Sequence, residues 1–202
     1  MGVTGHTFTM PAFDKVTLQT SRLLLRPLRP ADAEALLAAH SDPEVMRYSN
    51  MSAWTSIEQA NELVEQGQRG AATGRHLCLG IIPHDAGTVV GTCTLYALSE
   101  SDRRAEIGFL LGSHAWRKGY MAEALSALVQ YAFLDLALNR LEADTDPRNA
   151  RALTTLERLG FVREGQLRER WIVNGEKSDS AFYGLLFSDW ERVHGPKAES
   201  GT

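Results

Sequence analysis

Cysteine is nearly absent from this 202-residue chain: only Cys78 and Cys93 occur, inside the runs HLCLGII and VVGTCTLY. Such placement suits buried free thiols and excludes a disulfide framework or a cysteine-built metal site. The histidines at positions 6, 40, 76, 84, 114 and 194 lack ligand-type spacing, so no metal is expected. No apolar run reaches bilayer length and no cleavable signal opens the chain, which makes the cytoplasm the expected address and a membrane partner unexpected. Excess positive charge is also missing. A formal net charge of -4 argues against a broad nucleic-acid surface, while leaving room for a small basic pocket. Neither G-x-x-x-x-G-K-[ST] nor a helix-opening G-x-G-x-x-G is present, which excludes the commoner phosphate loops and the reactions that go with them.

What remains is ordinary globular composition, 44% hydrophobic and 23% charged, in a chain long enough for one sizeable domain. The first dozen residues have the composition of a disordered tail. Leu23 to Arg29 reads as an opening strand, followed by a short helix from Pro30 that the Asp42-Pro43 step should stop. Thr55 with Glu58 reads as a capping box for a second helix, carrying Ile57, Ala60 and Val64 on its buried stripe and closed by Gly67 to Gly74. Three strand-like runs follow, Leu77 to Ile82, Thr88 to Ser99 and Arg104 to Leu111, separated by turn clusters that suit antiparallel hairpins. After Gly119 a long helix places Leu125, Leu128, Val129, Ala132 and Leu136 on one side. A short strand at Leu141 to Thr145 and a helix from Asn149 to Leu159 come next, and Asn174-Gly175 marks a closing hairpin.

The richest stretch is Arg104 to Leu138, a strand, a loop with adjacent Arg117 and Lys118, Gly119, and the long helix. Backbone N–H groups at a helix start lack intrahelical partners and the helix dipole adds positive potential there, so a phosphate can settle on them. The run W-x-K-G-Y-x-x-E-A (Trp116, Lys118, Gly119, Tyr120, Glu123, Ala124) resembles the acetyl-CoA pyrophosphate loop of the GNAT superfamily of N-acyltransferases, in its RimJ/RimL-like branch. T-S-R-L-L-L-R-P-L (Thr20 to Leu28), S-D-P-E-V-M-R-Y (Ser41 to Tyr48), E-R-L-G-F (Glu157 to Phe161) and the hairpin before Tyr183 look alike in the same order.

The resemblance implies an α/β (α+β type) fold with a mixed, mostly antiparallel central sheet flanked by helices. It places an acetyltransferase domain at 18–190, between a disordered tail at 1–17 and a C-terminal tail at 191–202. It also implies acetyl-CoA as cosubstrate, gripped through Arg117, Lys118, Gly119, Tyr120, Met121 and Ala122. A strand N–H among Phe109, Leu110 and Leu111 would stabilise the oxyanion, a device worth roughly 3 kcal/mol, and Asn149 would bond the pantetheine arm or act as a helix N-cap.

The resemblance further implies a primary-amine acceptor that attacks directly, either a protein N-terminus, such as a ribosomal protein's, or a small amine. An α-amino group with a pKa of about 8 costs about 1.4 kcal/mol to deprotonate at pH 7, and a lysine about 4.6 kcal/mol. Glu106, an acid within an apolar strand, is the candidate base, either functional or a plain strand glutamate; His114 and Asp144 are weaker candidates. The superfamily's usual proton donors are replaced by Ala152 and Leu156, leaving Thr155 and Tyr183 as substitutes. That gap keeps a second class open, an acyl-CoA-binding sensor or interaction module with little catalysis. The closing hairpin offers a surface for a homodimer.

Overall fold

A computed structural model describes residues 11–194. Eight strands form one sheet: β1 (Leu18–Gln19), β2 (Leu23–Pro27), β3 (Leu77–Pro83), β4 (Gly91–Ser99), β5 (Arg104–Leu111), β6 (Arg140–Thr145), β7 (Val162–Val173) and β8 (Glu176–Leu186). Their spatial order is β1-β2-β3-β4-β5-β6-β8-β7, antiparallel throughout except where β5 lies parallel to β6. Helices α1 (Ala33–His40), α2 (Pro43–Met46), α3 (Ile57–Ala72), α4 (Tyr120–Leu134), α5 (Ala150–Arg158) and α6 (Phe187–His194) complete the chain.

Strand alternation sends successive side chains to opposite faces, and the buried residues divide accordingly. Leu23, Leu25, Leu77, Leu79, Cys93, Leu95, Ala105 and Ile107 join Leu125, Leu128 and Val129 of α4, Leu156 of α5 and Trp190 of α6 in the main core. Leu28, Cys78, Ile82 and Val89 meet Leu36 of α1 and Ala60 and Val64 of α3 in a smaller core on the other face. The mixed, mostly antiparallel sheet flanked by helices is therefore as expected. Both cysteines are buried, and burial pushes both thiols above their ordinary range.

Several local expectations shift. The cap of α3 is Ser56, not Thr55, and Gln59 rather than Glu58 reaches back, its Oε1 accepting from the N–H of Ser56 (3.2 Å) and of Thr55 (2.8 Å). A polar pair three residues apart fits the sequence in either register; the buried stripe decides between them. Gly67 and Gly70 do not close the helix but lie inside it, and a Cβ on Gly70 would land 2.0 Å from the His76 ring. Close packing, not termination, is the reason for that glycine. Residues 1–10 of the expected N-terminal tail and 195–202 of the C-terminal one lie outside the described residues. Of the rest, Phe13 is fully buried and its N–H donates to Ala71 O (2.7 Å), and α6 extends to His194. The packed chain thus begins before Leu18 and ends after Trp190.

Candidate active site

β5 and β6 run together only from Arg104 to Glu106, opposite Arg140 to Glu142. Beyond that point β5 stays with β4 to Leu111 and β6 stays with β8 to Thr145, so a gap opens between them. Charge pairs brace its closed end: Glu142 binds Arg104 (2.9 Å) and Arg140 (2.8 Å), and Arg140 also binds Glu164 (2.6 Å). Alternate peptide groups of a strand point to opposite sides. Arg103 O accepts from Asn139 and Arg140, and the N–H of Gly112 donates to Val90 O (2.9 Å). Odd-numbered residues of β5 therefore face the β6 side and even-numbered ones face β4. Phe109 and Leu111 present their N–H groups to the gap, whereas those of Leu110 turn to β4, which removes Leu110's backbone from the expected set. The carbonyl of Leu111 is taken by the Trp116 indole N–H (2.7 Å).

After β5 the chain makes a 3-10 turn at Ser113–Ala115 and enters α4 through Arg117 (φ 63°) and Gly119 (φ 78°). Two left-handed residues in three reverse the chain sharply, at little cost for glycine and at real cost for arginine. The first intrahelical bond runs from the N–H of Glu123 to Gly119 O (3.2 Å), which leaves the amides of Tyr120, Met121 and Ala122 directed out of the helix start. Arg117 and Lys118 are exposed beside them. The loop is anchored by contacts that sequence reading missed. Arg22 donates to Lys118 O (2.8 Å) and pairs with Glu123 (2.6 Å), which also accepts from Thr20 Oγ1 (2.6 Å), Ser21 Oγ (3.1 Å) and the N–H of Arg22 (3.0 Å). Burial pushes the Glu123 carboxyl up, but the bonds from Thr20, Arg22 and Ser21 outweigh it and hold it below the ordinary range. Both Arg22 and Glu123 stood within recognisable runs, yet nothing in the sequence joined them.

On the opposite lip Asn149 is the N-cap of α5, its Oδ1 accepting from the N–H of Ala152 (3.2 Å), so the capping reading of this residue is realised. Arg151 lies over the Trp116 ring at 4.0 Å, bridging the two lips. Glu44, Ser113, His114, Trp116, Arg117 and Arg151 line an open cleft there, and Ser113 Oγ donates to Asp42 Oδ2 (2.5 Å). Ala152 and Leu156 are buried. The substitute acids fare poorly: the hydroxyl of Tyr183, a fully buried residue, donates to Glu157 (3.2 Å), and that of Thr155 donates to Arg151 O (2.8 Å). Each proton is already committed within the fold.

Glu106 lies on the sheet face away from α4, because its neighbours Ala105 and Ile107 enter the main core. Tyr96 is its register partner on β4, on the same face, and the Tyr96 ring passes 3.3 Å from where a Cβ on Gly108 would stand. Burial, then the charges of Glu106 and Asp144, push the Tyr96 phenol well above its ordinary range. Asp144 accepts from Trp171 Nε1 (3.1 Å) and Ser180 Oγ (2.7 Å). The loop after α2 reaches the β7–β8 hairpin, where Ser52 Oγ donates to Asn174 Oδ1 (2.7 Å), and Trp54 of the same loop stacks on His40 at 3.8 Å. His114 stands apart from this group, exposed on the turn before α4. Among the described residues no set of three or more His, Cys, Asp or Glu side chains is arranged to hold a metal ion.

The sequence and the fold are similar to those of known proteins. A family model described as acetyltransferase (GNAT) domain matches residues 22–162. An uncharacterized N-acetyltransferase, p20, of Bacillus licheniformis is 36% identical over 84% of this chain and 96% of its own length. The [ribosomal protein uS5]-alanine N-acetyltransferase of Escherichia coli is 24% identical over 87% and 93%. Among solved structures, a spermidine N-acetyltransferase from Vibrio cholerae in complex with CoA and spermine superposes with a TM-score of 0.74 at 22% identity, covering 85% of this chain and 99% of that one.

Proposed function

Given that this chain belongs to the GNAT acetyltransferase family and is an acetyl-CoA-dependent N-acetyltransferase of RimJ/RimL-like type, we propose that its acceptor is the α-amino group of a peptide or protein N-terminus and that Glu106 is the base. The chain's own groups fit the cosubstrate. A diphosphate meets the outward amides of Tyr120, Met121 and Ala122 with Arg117 and Lys118 beside them. The N–H groups of Phe109 and Leu111 face the gap where a pantetheine arm and thioester carbonyl would lie. Asn149 keeps its side-chain amide N–H donors for that arm while its oxygen caps α5.

One observation carries the choice of acceptor. Past the ion-paired Glu142 at the closed end, the titratable groups identified on the acceptor side of the gap are the carboxylates Glu106 and Asp144 and the phenol of Tyr96. A carboxylate is a weak base, suited to an amine that costs about 1.4 kcal/mol to deprotonate rather than about 4.6. The protonated amine gives one proton to Glu106, directly or through water. Its nitrogen then bonds to the acetyl carbon as the C–S bond breaks, and the second proton it sheds balances the departing thiolate. With no hydroxyl available from Tyr183 or Thr155, solvent completes that last transfer.

The test is thiol release from acetyl-CoA with three acceptor sets: peptides with free N-termini, the same peptides Nα-blocked but containing lysine, and polyamines. Turnover should appear with the first set. Turnover of polyamines with none of the peptides would overturn the acceptor, and a Glu106→Gln variant with unchanged kcat at neutral pH would remove the base.

A further inference from the structure

Acidic side chains around the gap are mostly matched by cations: Glu142 by Arg104 and Arg140, Asp146 by Arg148, Glu123 by Arg22. Asp144 is different. Among the described residues it forms no ion pair; its bonds come from the Trp171 indole and the Ser180 hydroxyl, and both fall on Oδ2. The carboxylate is thereby fixed while Oδ1 stays available. Arg170, whose charge also reaches Tyr96, lies over the Trp171 ring at 5.3 Å rather than against the acid.

The position is as telling as the partners. Glu106 and Glu142 are register partners, so Asp144 stands two residues further on the same face, about 7 Å along the strand and past the last residue at which β5 and β6 still pair. It occupies the lip where the gap has opened. Phe182 faces it directly from β8, Trp171 binds it, and Tyr96 lies in the shared field of Asp144 and Glu106. A carboxylate held in place by neutral donors, with no cation paired to it and one oxygen unbonded, is the chemistry that receives an organic ammonium ion.

We infer that Asp144 is the residue that receives the acceptor's ammonium group, holding it at the lip of the gap beside Glu106, so that the enzyme selects amines that arrive protonated. The inference rests on the gap being the acyl-transfer site. Asp144 acts on binding, Glu106 on the proton, and the two separate kinetically.

Asp144→Asn tests it with little disturbance, because asparagine keeps an oxygen for Trp171 and Ser180 and replaces the unbonded, charged Oδ1 with a neutral amide NH2. With an acceptor that is protonated at the assay pH, its KM should rise about 10-fold or more, the loss of one charge-assisted contact. The KM for acetyl-CoA should stay unchanged, and kcat should fall by no more than about 3-fold. With a weakly basic amine that is neutral at the same pH, wild type and variant should have equal KM. Trp171→Phe, which leaves the charge but loosens its hold, should move the first KM in the same direction by less. An equal rise for the charged and neutral amines, or a fall confined to kcat, would overturn the assignment. If the wild-type protein acetylates no amine at all, the site reading itself fails; normal turnover with an indifferent Asp144→Asn sinks this inference alone.

Discussion

Arg22 and Glu123 stand 101 positions apart and meet at 2.6 Å. The sequence marks each as part of a recognisable run and gives no sign that they touch, because a long-range ion pair leaves no periodicity behind. Glycine is easier to read. Gly119 opens α4 at φ 78°, where an added Cβ would be strained and would sit 3.3 Å from the Arg22 guanidinium, a flexible group that can yield. Gly119→Ala should therefore cost about 1 kcal/mol of stability, seen in a urea midpoint, and should also raise the KM for acetyl-CoA. Asn149 carries both of the meanings that sequence reading left open. Asn149→Ala should lose about 1 kcal/mol through the cap, while Asn149→Asp, which keeps the cap, should restore stability but not acetyl-CoA affinity if the amide N–H donors hold the pantetheine arm. Comparing the two variants by denaturation and by KM separates the roles.

Elements were the most legible scale. Hydrophobic periodicity located the long helix after Gly119, alternation located the central strands, and Asn174-Gly175 located the hairpin, since each of these signals is local. Their bounds and contacts were harder. The capping box lies one residue beyond the pair the sequence suggests, and although α3 does end within the Gly67 to Gly74 stretch, at Ala72, Gly70 lies inside the helix and lets His76 approach, a contact only the assembled sheet reveals. The gap between β5 and β6 is likewise invisible in the sequence, because it depends on where two strands 30 or more residues apart stop pairing; once the pairing is seen, strand parity alone separates Phe109 and Leu111 from Leu110. The loop before α4 borrows its rigidity from the β1–β2 turn through Arg22 and Glu123. Arg22→Ala, which removes the bond to Lys118 O and the ion pair, should raise the KM for acetyl-CoA several-fold while kcat changes by less than about 2-fold, measured with saturating acceptor. A kcat loss of the same size as the KM change would place Arg22 in the chemistry instead.

The molecule as a whole stores part of its stability in carboxylates held below their ordinary range. Burial opposes the ionised form of Asp32, Glu123 and Asp146, and bonds from Arg26, from Thr20 and Arg22, and from Arg148 more than offset it. A folded-state value below the unfolded one means that each contribution is complete above the unfolded value, about 4, and is lost as pH falls through the folded value. His40, lowered by burial and stacked on Trp54, behaves with the same sign from its ordinary value of 6.5 downward. The thermal midpoint should therefore ease down as pH drops below about 6.5 and fall steeply below about 4. Glu123→Gln should be less stable at neutral pH and should show a shallower acid limb; an identical limb would mean that Glu123 titrates alike folded and unfolded. The two sulfhydryls give the molecule one more practical property. Cys78 and Cys93 are enclosed and kept protonated, so a chromogenic disulfide reagent added to the native protein should find no nucleophile of the protein's own. Colour developing in such a mixture then reports coenzyme set free by turnover, and acceptors can be screened continuously with the wild-type cysteines left in place.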